Sequence, residues 1–203
     1  PYTARGCFMG MKAVLEEAYG SASFQGRHVL LQGVGAVGGR LAELCQEAGA
    51  KVTICDINEA RVKELCAKHG FQSVPDARHL EVACDVYAPC ARGATINDAT
   101  IPQLKCKAIA GCANNQLLEP RHADVLKQKG IVYAPDYVIN AGGIINVSIE
   151  LIPGGYNEPK ALEKIDRIYD NLRQVFQISR EQKISTHTAA EKLAERRLAA
   201  ARR

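Results

Sequence analysis

The sequence predicts an α/β fold: a doubly wound parallel sheet with helices on both faces and extra helices at the C-terminal end. Three observations carry this. Short apolar runs alternate with segments of helical periodicity as far as about Gly143. Such runs, apolar on both sides, suit strands buried between helix layers. A glycine-rich turn joins the first run to a helix, and beyond Gly143 amphipathic helical periodicity takes over.

The elements follow in order. Phe8, Met11, Leu15 and Ala18 recur at helical spacing, and Gly20 closes the stretch. His28–Gln32 reads as a buried strand. Val37, Leu41, Leu44 and Ala48 give a helix ended by Gly49, and Lys51–Cys55 is the second strand. Val62, Leu65, Cys66 and His69 form a helix face before Gly70. Further strands are expected at 84–88, 107–110 and 131–133, with a helix between the last two, opened by Pro120 and closed by Gly130. Leu162, Ile165, Ile168, Tyr169, Leu172, Val175 and Phe176 predict one long amphipathic helix. Thr188 and Glu191 fit a capping box for a last one. No repeat, low-complexity tract or long linker divides the chain, so residues 1–203 read as one domain.

Composition narrows the class. Of 203 residues, 47% are hydrophobic and 24% charged, which suits a globular protein. No apolar run approaches a membrane span. The net charge of +4 owes much to Arg196, Arg197, Arg202 and Arg203, and with 5% aromatic residues and no basic–aromatic interleaving, no nucleic-acid partner is expected. Eight cysteines, at 7, 45, 55, 66, 84, 90, 106 and 112, form no C-x-x-C pair. Neither a metal site nor a disulfide framework is expected, and free thiols suit a reducing cytoplasm. The chain opens at Pro1 without an initiator methionine, as a piece of a longer protein would.

His28–Gln32 runs straight into Gly33-Val34-Gly35-Ala36-Val37-Gly38. G-x-G-x-x-G is informative in this setting, after a strand and opening a helix. The first glycine makes the tight turn, the second lets backbone approach a pyrophosphate, and the third lets helix pack on strand. The helix N-terminus adds free N–H groups and a positive dipole end. The second strand leads into Asp56, 18 residues beyond Gly38, where a carboxylate can accept from adenosine ribose hydroxyls. Asp56 could instead cap the helix after Ile57-Asn58. The combined motif favours a Rossmann-type dinucleotide fold, with NAD preferred because a carboxylate repels a 2′-phosphate.

Three later segments are more specific: Ala88-Pro89-Cys90-Ala91, then Ile109-Ala110-Gly111-Cys112-Ala113-Asn114-Asn115-Gln116, then Tyr133 through Val147 with Asp136-Tyr137-Val138-Ile139-Asn140-Ala141-Gly142-Gly143 at its centre. With Thr3-Ala4, they resemble the cofactor domain of the glutamate/leucine/phenylalanine/valine dehydrogenase superfamily, nearest to its leucine-acting branch. The resemblance covers essentially all 203 residues. It implies that Thr3 and Asn140 lie near the nicotinamide amide and ribose. Gly33, Val34, Gly35, Ala36, Val37, Gly38 and Gly39 form the phosphate loop, and Asp56 and Ile57 frame the adenosine. Cys90 and Ala91 lie on the cofactor loop after the fourth strand, Asn115 orients substrate or nicotinamide, and Ile144 and Val147 line the substrate pocket. Structural alternatives stand beside these roles: helix caps for Asn115 and Asn140, ordinary core for Ile144 and Val147, and a packing role for Cys90, which has no base beside it in sequence. The five histidines are scattered, and none is assigned a catalytic role.

By the same resemblance, the full enzyme deaminates branched-chain L-amino acids, leucine above all, to 2-oxo acids and ammonia, and is expected to be a homo-oligomer. Its catalytic lysine, carboxylate-binding lysine and aspartate belong to a preceding domain; this chain has no G-G-G-K segment, so no catalytic residue is assigned here and the chain alone is expected to be inactive. Phenylalanine, tryptophan or valine as substrate, or a non-catalytic NAD-binding module, are the alternatives. Two departures stand out: Arg92 and Ala94 occupy positions where leucine-acting members usually have an apolar residue and a glycine, and the stretch 151–156 is longer than usual.

Overall fold

A computed structural model describes residues 1–151 and 155–201. Six strands, β1 (His28–Gln32), β2 (Lys51–Cys55), β3 (Gln72–Ser73), β4 (Val86–Pro89), β5 (Ala108–Ile109) and β6 (Val132–Tyr133), form one parallel sheet in the order β3-β2-β1-β4-β5-β6. Gln32 stands opposite Cys55 on one side and Pro89 on the other, so β1, β2 and β4 end level. Chain order reverses between β1 and β4, which opens a crevice at the carboxyl ends of the strands, the usual ligand site of such sheets.

Side chains alternate between two cores, as strand geometry requires. Val29, Leu31, Val86, Ala88 and Ala108 face one side, against α1 (Tyr2–Tyr19), α2 (Ala36–Glu47) and α3 (Glu59–His69). Leu30, Tyr87 and Ile109 face the other, with Ile96, Ile101, Leu126, Ile131 and Tyr133. The second layer includes α4 (His122–Gln128). The doubly wound α/β architecture expected from the sequence is therefore present, and C-terminal helices follow it. No helix among the described residues is long and apolar enough to cross a membrane.

Several local expectations are corrected. β3 has only two residues, both exposed, so no apolar run marks it. The first turn of α4 begins beyond Pro120, which sits in the preceding turn. After the short α5 (Asp136–Ile139) and α6 (Gly142–Glu150), the single long helix is instead two, α7 (Glu158–Asp166) and α8 (Ile168–Gln182), broken at Arg167. Ile165 and Ile168 are buried on either side of the break, so the apolar stripe passes through it unchanged. The last helix, α9 (Thr186–Ala201), starts earlier than expected: Ser185 Oγ lies 3.5 Å from the Thr188 N–H and 3.1 Å from its hydroxyl, and Thr188 is inside the helix rather than its cap. Ile152, Pro153 and Gly154 of the longer stretch, and Arg202 and Arg203, lie outside the described residues.

Candidate functional site

The turn from β1 into α2 is shaped by three glycines for three different reasons. Gly33 has φ +99°, the left-handed region that a Cβ disfavours, and a Cβ there would also lie 2.5 Å from Ala91 Cβ. At Gly38 a Cβ would stand 2.1 Å from the Gly33 carbonyl oxygen. At Gly35 a Cβ would meet nothing within 4 Å. The protein's own packing therefore demands Gly33 and Gly38 but not Gly35, which caps α2 and borders open space. The first turn of α2 holds no acidic residue and no side-chain cap, so its free N–H groups and dipole face that space unneutralised. Ala36 is exposed, Val37 half-buried, and Gly39 donates its N–H to Gly35 O at 2.8 Å.

Asp56 closes the loop from the side. Its Oδ2 accepts the N–H of the buried Val34 at 2.8 Å, and its Oδ1 accepts the Asn58 N–H at 2.9 Å. Asn58 caps α3 by accepting the Arg61 N–H, so Asp56 is not that helix's cap. Each carboxylate oxygen keeps a further lone pair. Asp56 and exposed Ile57 line a cleft of about 570 Å³ together with Lys63, Val74 and Asp76.

A second cleft, of about 700 Å³, opens at the other end of the crevice, lined by Thr3, Val37, Cys112, Asn114, Asn115, Asn140 and Ile144 among others. Asn115 has φ +51°, and its N–H is held by Asp136 Oδ2 at 2.5 Å; Asp136 Oδ1 in turn accepts from the Tyr133 hydroxyl at 3.2 Å. Asn140 donates its side-chain amide to Asn114 Oδ1 at 2.6 Å. Asn115 therefore caps no helix. Asn140 ends α5, but its side chain does not act as the cap. Thr3 Oγ1 is packed so closely on α6 that a Cβ at Gly143 would lie 2.8 Å from it. Asn114 and Asp136 carry no local signal in the sequence that singles them out; their roles come from contacts across 26 and 21 residues of sequence.

Cys90 begins the loop after β4, its N–H bonded to Gln32 O at 2.7 Å, and Ala91 covers Gly33. The Cys90 and Cys7 thiols both neighbour Cys112, and that proximity together with desolvation holds both well above the ordinary thiol range. A protonated, half-buried Cys90 packs rather than attacks. Ile144 and Val147 are 74% and 54% exposed on α6, so in this chain they are not core. Ile144 stands on the rim of the second cleft, and Val147 lies one turn further along.

A level row of strand ends, a glycine loop opening a helix, a carboxylate after β2 and an amide-rich cleft define a Rossmann-type α/β domain. Residues 1–60 and 55–203 match the glutamate/leucine/phenylalanine/valine dehydrogenase family, and the chain belongs to it. It is 50% identical over 198 residues to a leucine dehydrogenase of Geobacillus stearothermophilus, covering 98% of this chain and 53% of that protein. A phenylalanine dehydrogenase of Thermoactinomyces intermedius is 42% identical over 198 residues, 97% of this chain and 54% of its own. The crystal structure of an L-tryptophan dehydrogenase from Nostoc punctiforme superimposes with a TM-score of 0.96 at 39% identity, covering all of this chain and 61% of that one. The chain thus spans about half the length of the curated relatives it matches.

Proposed function

We propose that this chain is the dinucleotide-binding domain of an NAD-dependent L-amino-acid dehydrogenase that deaminates branched aliphatic substrates, leucine foremost. The observation that carries this is Gly35: the loop leaves room there that no protein atom uses, directly before an unneutralised helix N-terminus. That is the space a pyrophosphate needs. The residues present fit the cofactor. Gly33 to Gly39 would hold the pyrophosphate, Asp56 and Ile57 the adenosine end, Cys90 and Ala91 the edge of the loop. Thr3, Asn115 and Asn140 would hold the nicotinamide end. When bound, the nicotinamide would supply the hydride-acceptor chemistry. The protein residues bind and orient it: the αL turn at Asn115, pinned by Asp136, sets the side chain's position, and the Asn114–Asn140 pair fixes the rim.

Support for an aliphatic substrate comes from the exposed Ile144 and Val147, which offer an apolar wall without a hydrogen-bond partner, and from the leucine dehydrogenases at about half identity. Phenylalanine and tryptophan dehydrogenases are also relatives, at 42% and 41% identity, and are the competing substrate readings. Proton transfers and substrate-carboxylate binding belong, in this reading, to a domain outside residues 1–203.

The test separates fold from binding. Gly35→Leu should leave the melting temperature of the chain near wild type and abolish saturable NADH binding in calorimetry. Gly38→Ala, with its Cβ against the Gly33 carbonyl, should lower stability itself. NADH binding that survives Gly35→Leu unchanged overturns the assignment.

A further inference from the structure

We propose that Cys55, Asp76 and His79, with Gln32 beside Asp76, form a divalent-metal site, best suited to zinc, at the adenosine end of the crevice. The proposal is independent of which amino acid the enzyme acts on. The sequence spacing of these residues matches no zinc motif; the fold brings them together. Gln32 and Cys55 end β1 and β2 as register partners. They share the sheet face of Leu30, opposite α1 and α2. Asp76 and His79 sit on a 3₁₀ segment, Asp76–Glu81, where residues three apart eclipse and project together.

One ligand atom from each of Cys55, Asp76 and His79 lies within 4.8 Å of the other two. A thiol sulfur, a carboxylate oxygen and an imidazole nitrogen are zinc donors, bound tetrahedrally at about 2.0–2.3 Å. Ligand atoms around such an ion stand roughly 3.3–3.8 Å apart, so the cluster closes by about 1 Å through side-chain rotation.

Two further details point to a ligand. His79 Nδ1 is hydrogen-bonded to the Asp76 carbonyl oxygen, so Nδ1 carries the proton and Nε2 presents its lone pair. Metal-binding histidines are oriented in this way, by donating the other ring N–H to a carbonyl. Nε2 currently accepts from the Tyr87 hydroxyl at 3.2 Å, a bond it exchanges for the metal. Second, Gln32 is only 5% exposed and donates its amide N–H to Asp76 Oδ1 at 3.2 Å, while its Oε1 has no partner at all. A buried acceptor left without a donor is unfavourable, so the side chain that contacts Asp76 is itself incompletely satisfied. Access runs through Asp76, which lines the cleft shared with Asp56 and Ile57. On binding, the Cys55 S–H proton leaves to solvent as the sulfur–metal bond forms, with no change of oxidation state.

The test is cobalt and zinc titration of the tag-free, reduced, chelator-treated chain. Wild type should take up one Co²⁺ with a thiolate-to-cobalt charge-transfer band and visible bands of tetrahedral intensity, displaced by Zn²⁺. Cys55→Ser should lose the charge-transfer band, His79→Ala should bind zinc at least about tenfold more weakly, and Cys66→Ser should match wild type. Circular dichroism checks that each variant folds; if Cys55→Ser does not, His79→Ala decides. Absence of the band in wild type, or its survival in folded Cys55→Ser, or unchanged zinc affinity in His79→Ala, overturns the proposal.

Discussion

Removing the Asp56 carboxylate should have two separable effects, because its oxygens hold the loop even before any ligand arrives. In Asp56→Ala the Val34 N–H, in a fully buried residue, loses its 2.8 Å acceptor. An orphaned buried donor costs about 1–3 kcal/mol. At roughly 2–4 °C per kcal/mol for a chain of this size, the melting temperature should fall by about 2–12 °C. Asp56→Asn keeps one acceptor oxygen for Val34 and surrenders only the exposed Asn58 contact, so its stability should stay close to wild type. Its charge is gone, however. Hydrogen bonds from a ribose to a neutral amide are weaker than to a carboxylate, and NADH should bind about 5–10-fold more weakly, close to 1–1.4 kcal/mol. A 2′-phosphate should meanwhile meet less repulsion, with Lys63 on the same wall to receive it, so NADPH should gain. Calorimetric titration of both cofactors against wild type and both variants, with parallel thermal melts, reads each effect. An unchanged NADH/NADPH ratio in Asp56→Asn would confine Asp56 to holding the loop, and an unchanged melt in Asp56→Ala would remove even that role.

Other outcomes follow from single residues. Ala94 has φ +57°, a region costing a residue with Cβ about 1–2 kcal/mol, of which glycine's extra unfolded freedom returns about 0.5–1. Ala94→Gly should therefore raise the melting temperature by up to about 6 °C, whereas Ala99→Gly, at negative φ in the next turn, should lower it; a lower melt for Ala94→Gly refutes the strain. In the full-length enzyme, truncating Ile144 and Val147 to alanine should lower kcat/KM for leucine by about 5–30-fold, roughly 1–2 kcal/mol, as if about two of the removed carbons touched substrate at roughly 0.8 kcal/mol each, without altering the chain's own melt, since both side chains are exposed here. A wild-type preference for phenylalanine or tryptophan over leucine by about tenfold would contradict the aliphatic wall. Residues 1–203 alone should show no leucine-dependent NAD reduction, which robust activity of the purified chain would disprove.

The parts legible in advance are those set by neighbours along the chain. His28–Gln32, Lys51–Cys55 and the glycine turn between strand and helix could be read directly, because pleat, helical period and the steric needs of a tight turn act over a few residues. The position of Asp56 was legible for the same reason: it follows the strand that runs level with β1. Ala94 was recognisable as a departure, and its positive φ shows what the departure does.

What only the tertiary structure decided depends on residues far apart in sequence. β3 exists because β2 offers it an edge, not because Gln72 and Ser73 are strand-like. The break at Arg167 leaves the apolar stripe intact and so leaves no trace in periodicity. Hydrogen bonds from the Asn115 N–H to Asp136 and from the Asn140 amide to Asn114 turn two candidate caps into cleft residues. Burial decides Ile144 and Val147: their composition is that of a core, and only the packing of α6 shows them facing outward. Cys55, Asp76 and His79 meet because a strand end and a 3₁₀ turn converge on one sheet face. Composition and spacing encode local stereochemistry; which donors face one another is settled by how the sheet and its helices pack.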